Sequence, residues 1–131
     1  MDGDDGYPYA VPLSYVYCEG KIFFHGATSG HKLDAILKND KVLFCLIDLD
    51  RIVLEKYTTY FRSVIVFGRA AILEADEKRK AAHILAIKYS PDDETGLTRA
   101  IDDSFDRTCL VEIKIEHMTG KEAIELVREK E

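Results

Sequence analysis

The segment from Thr58 to Ala71 limits the fold more than any other part of the chain. It is rich in Thr, Tyr, Phe, Val and Ile, residues that suit a pleated, half-buried surface. Gly68 inside it marks a bulge or a close approach by a neighbouring group. Other strand-like runs are shorter. Tyr9, Val11, Leu13, Tyr15 and Tyr17 place large apolar side chains at alternate positions. Pro8 and Pro12 withhold N–H groups from that run, so it is expected along an edge or with a bulge. Glu19-Gly20 turns tightly into Lys21–His25 and predicts a β-hairpin. Val42 to Ile47 is continuously apolar, as in a strand buried on both sides. Asp48 to Arg51 reads as a turn leading to a strand from Ile52 to Tyr57. Arg107 to Ile115 alternates, with Cys109, Val111, Ile113 and Ile115 inward and Thr108, Glu112 and Lys114 outward.

Helical signals are fewer. Asp76 is the expected cap of a helix from Glu77 to about Tyr89, with Ala81, Ile84, Leu85 and Lys88 along one stripe. Ser90-Pro91-Asp92-Asp93 ends it, and a short helix follows through Leu97 to Ile101. Thr119-x-x-Glu122 has the spacing of a capping box before a terminal helix. Met1 to Gly6 is acidic and contains glycine, as in a frayed end or a turn. About six strands in hairpin and meander order, with one helix early and others late, predict a mainly β (α+β) fold. The expected form is a small antiparallel barrel with peripheral helices.

Composition narrows the function. The chain has 131 residues, 47% of them apolar, enough for one core and a single domain over 1–131. A net charge of −6 argues against nucleic acid, whose binding depends on neutralising phosphates. No apolar run reaches membrane-spanning length, and the acidic N-terminus is unlike a secretory signal. Cys18, Cys45 and Cys109 are odd in number, widely spaced and set in apolar surroundings. They read as buried, reduced thiols of a cytoplasmic protein, with no metal site.

The chemistry is expected between Phe23 and Leu37. Ile22, Phe23 and Phe24 form an apolar strand end, small residues turn the chain, and Leu33, Ile36 and Leu37 fall on one helical face. Thr28 or Ser29 is the expected cap. Gly30, His31 and Lys32 then occupy the first turn, where free N–H groups and the positive dipole end attract an anion. This is the outline of a phosphate site, although the glycine pattern of a nucleotide loop is incomplete.

Three motifs in order carry a resemblance. They are Gly6-Tyr7-Pro8-Tyr9-Ala10-Val11-Pro12-Leu13-Ser14-Tyr15; Phe24-His25-Gly26-Ala27 with Gly30-x-Lys32-Leu33; and Tyr60-x-x-Ser63-Val64-Ile65-x-Phe67-Gly68-Arg69-Ala70. From about Gly6 to Lys121 the chain resembles the pyridoxamine 5'-phosphate oxidase-like, FMN-binding split β-barrel family, most of all its nitroimidazole-resistance reductase subgroup. The resemblance implies an antiparallel split β-barrel and a homodimer with FMN at the interface. It implies that His31 and Lys32 hold the FMN phosphate, and that His25, Gly26, Ala27 and Thr28 run beside the phosphate and ribityl chain. Val11, Pro12, Leu13 and Ser14 correspond to the strand along the isoalloxazine. Ser63 and Val64, with Tyr60 and Arg62 beside them, correspond to a second flavin-contacting strand. His25 matches the subgroup's site histidine and is the catalytic candidate, though a histidine at a strand end also serves to hydrogen-bond a neighbouring carbonyl.

Family members carry a helix and a strand before the Gly-Tyr-Pro-Tyr turn. Met1 stands five residues before Gly6, so a barrel lacking those elements is expected, open along one edge or closed by its partner. The function implied is an oxidoreductase passing electrons from NAD(P)H to a small acceptor such as a nitroaromatic. The alternative is a non-catalytic dimeric module that holds FMN or haem. Pyridoxal-type and F420-type ligands suit the same barrel class.

Overall fold

The computed structural model describes residues 1–89 and 92–129. Five strands form one antiparallel sheet: β1 (Val16–Cys18), β2 (Lys21–Ala27), β3 (Lys41–Val53), β4 (Thr58–Ile72) and β5 (Thr108–Glu122). Four helices accompany them: α1 (His31–Lys38), α2 (Ala75–Tyr89), α3 (Glu94–Ser104) and α4 (Ile124–Glu129). The strand order is β1-β2-β5-β4-β3. The last strand in sequence is therefore inserted between β2 and β4, which a simple meander does not do. The sheet is the antiparallel split barrel. Its two ends approach each other without a ladder: Leu13 and Tyr15 join the cluster that holds Val42 and Phe44, and the Tyr15 ring meets Phe44 edge-on at 5.0 Å.

The period of two sorts β2 and β5 into two faces. Ile22 lies opposite Ile113, Phe24 opposite Val111 and Gly26 opposite Cys109; these face the main core, together with Leu33 and Ile36 of α1. On the other face Phe23, Leu110 and Val16 pack with Ala81 and Leu85 of α2. Phe24, Leu110 and Val111 are the largest side chains shut away completely. A third, small cluster sits under α4, where Tyr60 packs on Ala123 and Leu126.

Several expectations need correction. Five strands form, and only Val16–Cys18 of the Tyr9 to Tyr17 run enters the ladder. The prolines and the N-terminal loop account for the rest: Met1 donates its amino group to the Tyr9 carbonyl at 3.0 Å, and Asp4–Gly6 makes a 3-10 turn. Met1 to Gly6 is thus a turn. β3 is an edge strand whose faces differ. Leu43, Cys45 and Ile47 are exposed while Val42, Phe44 and Leu46 are half-buried, so the apolar run is not buried on both sides. Asp48 to Arg51 is no turn: β3 passes through it with a bulge between Ile47 and Leu49. The reversal comes later, at Leu54–Lys56, with Tyr57 left-handed at φ 52°.

At α1 the cap is Gly30, at φ 139°, and no side chain caps the helix. Thr28 and Ser29 are exposed and leave the first-turn amides open. Asp76 lies inside the first turn of α2, not at its cap. Asp93 caps α3, accepting from the Gly96 amide at 3.1 Å. Thr119 and Glu122 lie in β5, so the capping-box spacing is coincidental there. Glu122 accepts from Arg62 instead. Of the thiols, only Cys109 is buried; Cys18 is half-buried and Cys45 exposed. The expected break at Ser90-Pro91 lies outside the described residues.

The Glu19-Gly20 hairpin forms with both residues at positive φ, 50° and 80°, the backbone of a tight primed turn. Gly68 sits at the bulge between β4 and β5. A Cβ there would come within 2.5 Å of the Lys114 carbonyl oxygen, so the glycine is required by close approach.

Candidate functional site at the α1–α2 end of the sheet

The ladder between β2 and β5 ends at the pair Ala27 and Thr108. Beyond it the chain turns through Thr28-Ser29-Gly30 into α1. Lys32 folds back over this end. Its Nζ lies 3.0 Å from where a Gly26 Cβ would be and 5.5 Å from the centre of the Phe24 ring. The missing side chain of Gly26 makes the room that the ammonium fills.

His31 does not share that position. Its Nδ1 lies 3.6 Å from Asp4 Oδ2, and its ring meets Tyr9 edge-on at 4.4 Å. The N-terminal loop therefore claims His31, and the expected basic pair is divided.

His25 faces the opposite side of β2 from Gly26, since it pairs with Leu110. With Ser14 it lines a cavity of about 370 Å³ between the sheet and helices α2 and α3. The walls include Ala82, Leu85, Ala86, Leu97, Ala100, Ile101 and Leu110. Alanines on both helices leave the space unfilled, as small facing residues must when the helix backbones stay apart. Its polar rim is Ser14, His25, Ser104, Thr108 and Lys78. At the neighbouring rim Tyr89 donates its hydroxyl to the Tyr15 carbonyl at 3.0 Å. Burial alone would raise the Tyr89 hydroxyl, but hydrogen bonds with Ser14 and the Tyr15 backbone, together with nearby Lys88, bring it below its ordinary value.

A second hollow of about 370 Å³ adjoins the first, sharing Lys78, Phe105 and Thr108 and reaching Thr28, Ser29 and Cys109. Lys78 stands at the junction. It donates to the Phe105 carbonyl and lies 4.2 Å over the Phe105 ring. Burial pushes the Cys109 thiol up, while the Lys78 and Lys32 ammonium groups pull it back down. Both lysines therefore lie near enough to be felt at the Cys109 thiol, but only Lys78 lines the hollow.

The other candidates scatter. Val11, Pro12 and Leu13 line a groove of about 680 Å³ along β3, apart from the His25 cavity. Ser14 alone of that run reaches His25. Ala27 and Thr28 are exposed at the ladder's end. Val64 packs against the main core, and Ser63 lies opposite Ile47 on the other face. Tyr60 is buried beneath α4, its hydroxyl accepting from Lys56 at 3.0 Å. Arg62 bonds Asp48 at 2.9 Å and Glu122 at 3.1 Å. The structure thus joins Ser14, His25, Gly26, Thr28 and Lys32 around one end of the sheet. Tyr60, Arg62, Ser63 and Val64 lie along β4, and His31 belongs to the N-terminal loop. Sequence reasoning missed Lys78, which reads as one more charge on an amphipathic helix.

Among the described residues no group of three or more His, Cys, Asp or Glu could hold a metal ion, and no helix is long and apolar enough to cross a membrane.

Solved structures with this fold include three informative neighbours. A candidate 5-nitroimidazole antibiotic resistance protein from Bacteroides thetaiotaomicron superposes with a TM-score of 0.71 at 20% identity, over 92% of this chain and 72% of its own. The FAD and haem binding protein from Mycobacterium smegmatis gives 0.76 at 19% identity, over 97% and 68%. An FAD-binding protein from Mesorhizobium loti gives 0.60 at 23% identity, over 92% and 81%. At these identities the likeness is one of fold. No curated protein matches the sequence. Residues 3–122 match the family model described as pyridoxamine 5'-phosphate oxidase, which spans every strand and the turn that Lys32 closes: the chain belongs to the pyridoxamine 5'-phosphate oxidase family.

Proposed function

We propose that this protein binds FMN and, as a homodimer, passes electrons from NAD(P)H to a small acceptor such as a nitroaromatic. The observation that carries the reading is Lys32: a half-buried ammonium over Gly26, with no carboxylate partner among the described residues, at the end of the strand whose opposite face carries His25 and, with Ser14, edges an apolar cavity. A flavin mononucleotide needs a cation for its phosphate and a flat apolar wall for its ring. Flavin binding by the Mycobacterium smegmatis and Mesorhizobium loti neighbours supports the same ligand class here.

A bound flavin supplies the redox chemistry. The chain's own residues hold and orient it. Lys32 and the open amides at the start of α1 neutralise the phosphate. Leu85, Ala86 and Leu110 exclude water from the ring side, and Ser14 and His25 offer the hydrogen-bonding groups at the rim. His25 is the residue able to move a proton to or from a ligand there. The second protomer covers the exposed outer face of β3 and β4, where Leu43 lies opposite Phe67 and Cys45 opposite Ile65. Leu43, Ile47 and Phe67 are 50%, 64% and 43% exposed, an apolar surface that a monomer keeps bare at the risk of association.

A second reading, a non-catalytic module for FMN or haem, is favoured by His25. Its imidazole makes no hydrogen bond among the described residues and is open to a ligand. One experiment separates the readings. The protein is mixed with FMN, desalted and examined by absorbance beside Lys32→Ala, then given NADPH and a nitroaromatic. Retention by the natural protein, loss by the variant and NADPH oxidation support the reductase. Retention without turnover, or a Soret band after haem is added, supports the module. Loss of flavin from both folded proteins overturns the FMN reading.

A further inference from the structure

We propose that the cavity between the sheet and helices α2 and α3 binds an acyl monocarboxylate, with its carboxylate on Lys78 and its chain running along α2 toward Tyr89. The inference goes beyond the flavin reading, which uses the edge of this cavity at Ser14 and His25 and not its Lys78 end.

No described Asp or Glu lines the cavity, although the chain has 24. Lys78 supplies the fixed charge of its wall, half-buried and with no carboxylate partner among the described residues. Its ammonium donates to the Phe105 carbonyl and lies 4.2 Å from the centre of the Phe105 ring. An ammonium has further N–H donors beyond that one, and these remain for an anion. Thr108 lines the same end and brings a hydroxyl. A single cation balances a single negative charge, whereas a phosphate dianion would leave one charge unmatched beside apolar walls.

The shape of the cavity selects the rest of the ligand. Lys78, Ala82, Ala86 and Tyr89 line it from α2, a run of about 16 Å at the α-helical rise of about 1.5 Å per residue. A volume of about 370 Å³ drawn out over that length is a narrow bore, suited to an extended acyl chain. At its far end the Tyr89 hydroxyl is taken up by the Tyr15 backbone, which leaves Lys78 as the end for the charged group. Ala86 is half-buried yet lies outside the cluster of Ala81, Leu85 and Leu110 beside it. Apolar space that the chain's own side chains leave unfilled costs stability, and a ligand that fills it stabilises the folded state.

The test titrates dodecanoate and dodecanol into the natural protein, Lys78→Gln, Lys78→Arg and Ala86→Leu, with calorimetry for affinity and circular dichroism to establish that each variant is folded. Dodecanoate is expected to bind the natural protein and to raise its melting temperature. Its affinity should fall roughly tenfold or more in Lys78→Gln, through loss of a charge-assisted contact, and be largely kept in Lys78→Arg. Dodecanol, which lacks the charge, should bind these three proteins alike. Ala86→Leu fills the bore and should weaken both ligands. Equal dodecanoate affinity in Lys78→Gln and the natural protein overturns the site, as does undiminished binding by folded Ala86→Leu. An equal loss of dodecanol in Lys78→Gln removes the role of charge and also overturns it. Absence of dodecanoate binding to the natural protein overturns it outright. FMN enters none of these outcomes, so the flavin reading stands or falls apart from them.

Discussion

The two halves of β5 make an instructive contrast. From Thr108 to Ile115 the strand has β2 on one side and the last residues of β4, Gly68 to Ile72, on the other, with the main core on one face and α2 near the other. Cys109, Leu110, Val111 and Ile113 are buried there. From Glu116 to Lys121 the same strand pairs with β4 alone and every residue is exposed. Burial along a strand is decided by what covers it, and the covered half is also the one that borders the His25 cavity. The far half, with β3 and β4 beside it, offers a bare sheet face suited to a partner.

Substitution should expose the contrast first as stability. Phe24→Ala, beside Val111 in the covered half, is expected to cost about 3–5 kcal/mol in urea unfolding. Met118→Ala in the far half should cost within about 0.5 kcal/mol. Equal costs would remove the distinction. Gly68→Ala follows, at roughly 1–3 kcal/mol, because its Cβ meets the Lys114 carbonyl oxygen and Ile113 Cγ2, the latter at 2.9 Å, in a packed region. Gly120→Ala, whose nearest contact is 3.9 Å away, should be near neutral by the same assay.

The bare face is tested by sedimentation. The natural protein is expected to be a dimer and Ile47→Glu a monomer, with little change in monomer unfolding. A dimer that survives the substitution would place the interface elsewhere. The smallest effect concerns Cys109. Its folded thiol is pushed up by burial and holds its proton more tightly than the unfolded thiol. Its contribution to stability is complete below the unfolded thiol's titration and is lost as pH rises through that of the folded form. Cys109→Ala should flatten the alkaline fall in unfolding midpoint, while exposed Cys45 should be alkylated before Cys109 at every pH.

Local chemistry made much of this legible. Glu19-Gly20, the β2-to-α1 turn, β4 and the Gly68 bulge were all visible because turn residues, apolar period and a misplaced glycine are local signals. Charges within β3 misled, since Asp48 fits into a bulge, Asp50 is exposed along an edge strand and Arg51 lies over the Tyr60 ring and pairs with Glu129. Thr119 and Glu122 carried a helix-start spacing, yet pairing with β4 and the Arg62 guanidinium kept them in the sheet. The site was legible in part. Lys32 and Gly26 were marked by spacing, but the loss of His31 to Asp4 and the arrival of Lys78 depend on contacts between residues more than twenty positions apart, which no window along the sequence contains.

The central claim is that the ligand sits at the α1–α2 end of the covered half. Amide hydrogen exchange with and without FMN tests it most directly. The account predicts slower exchange on FMN addition at Gly26 to Lys32 and at Phe105 to Cys109. Unchanged exchange there, with new protection confined to 46–57 and 116–122, would contradict it.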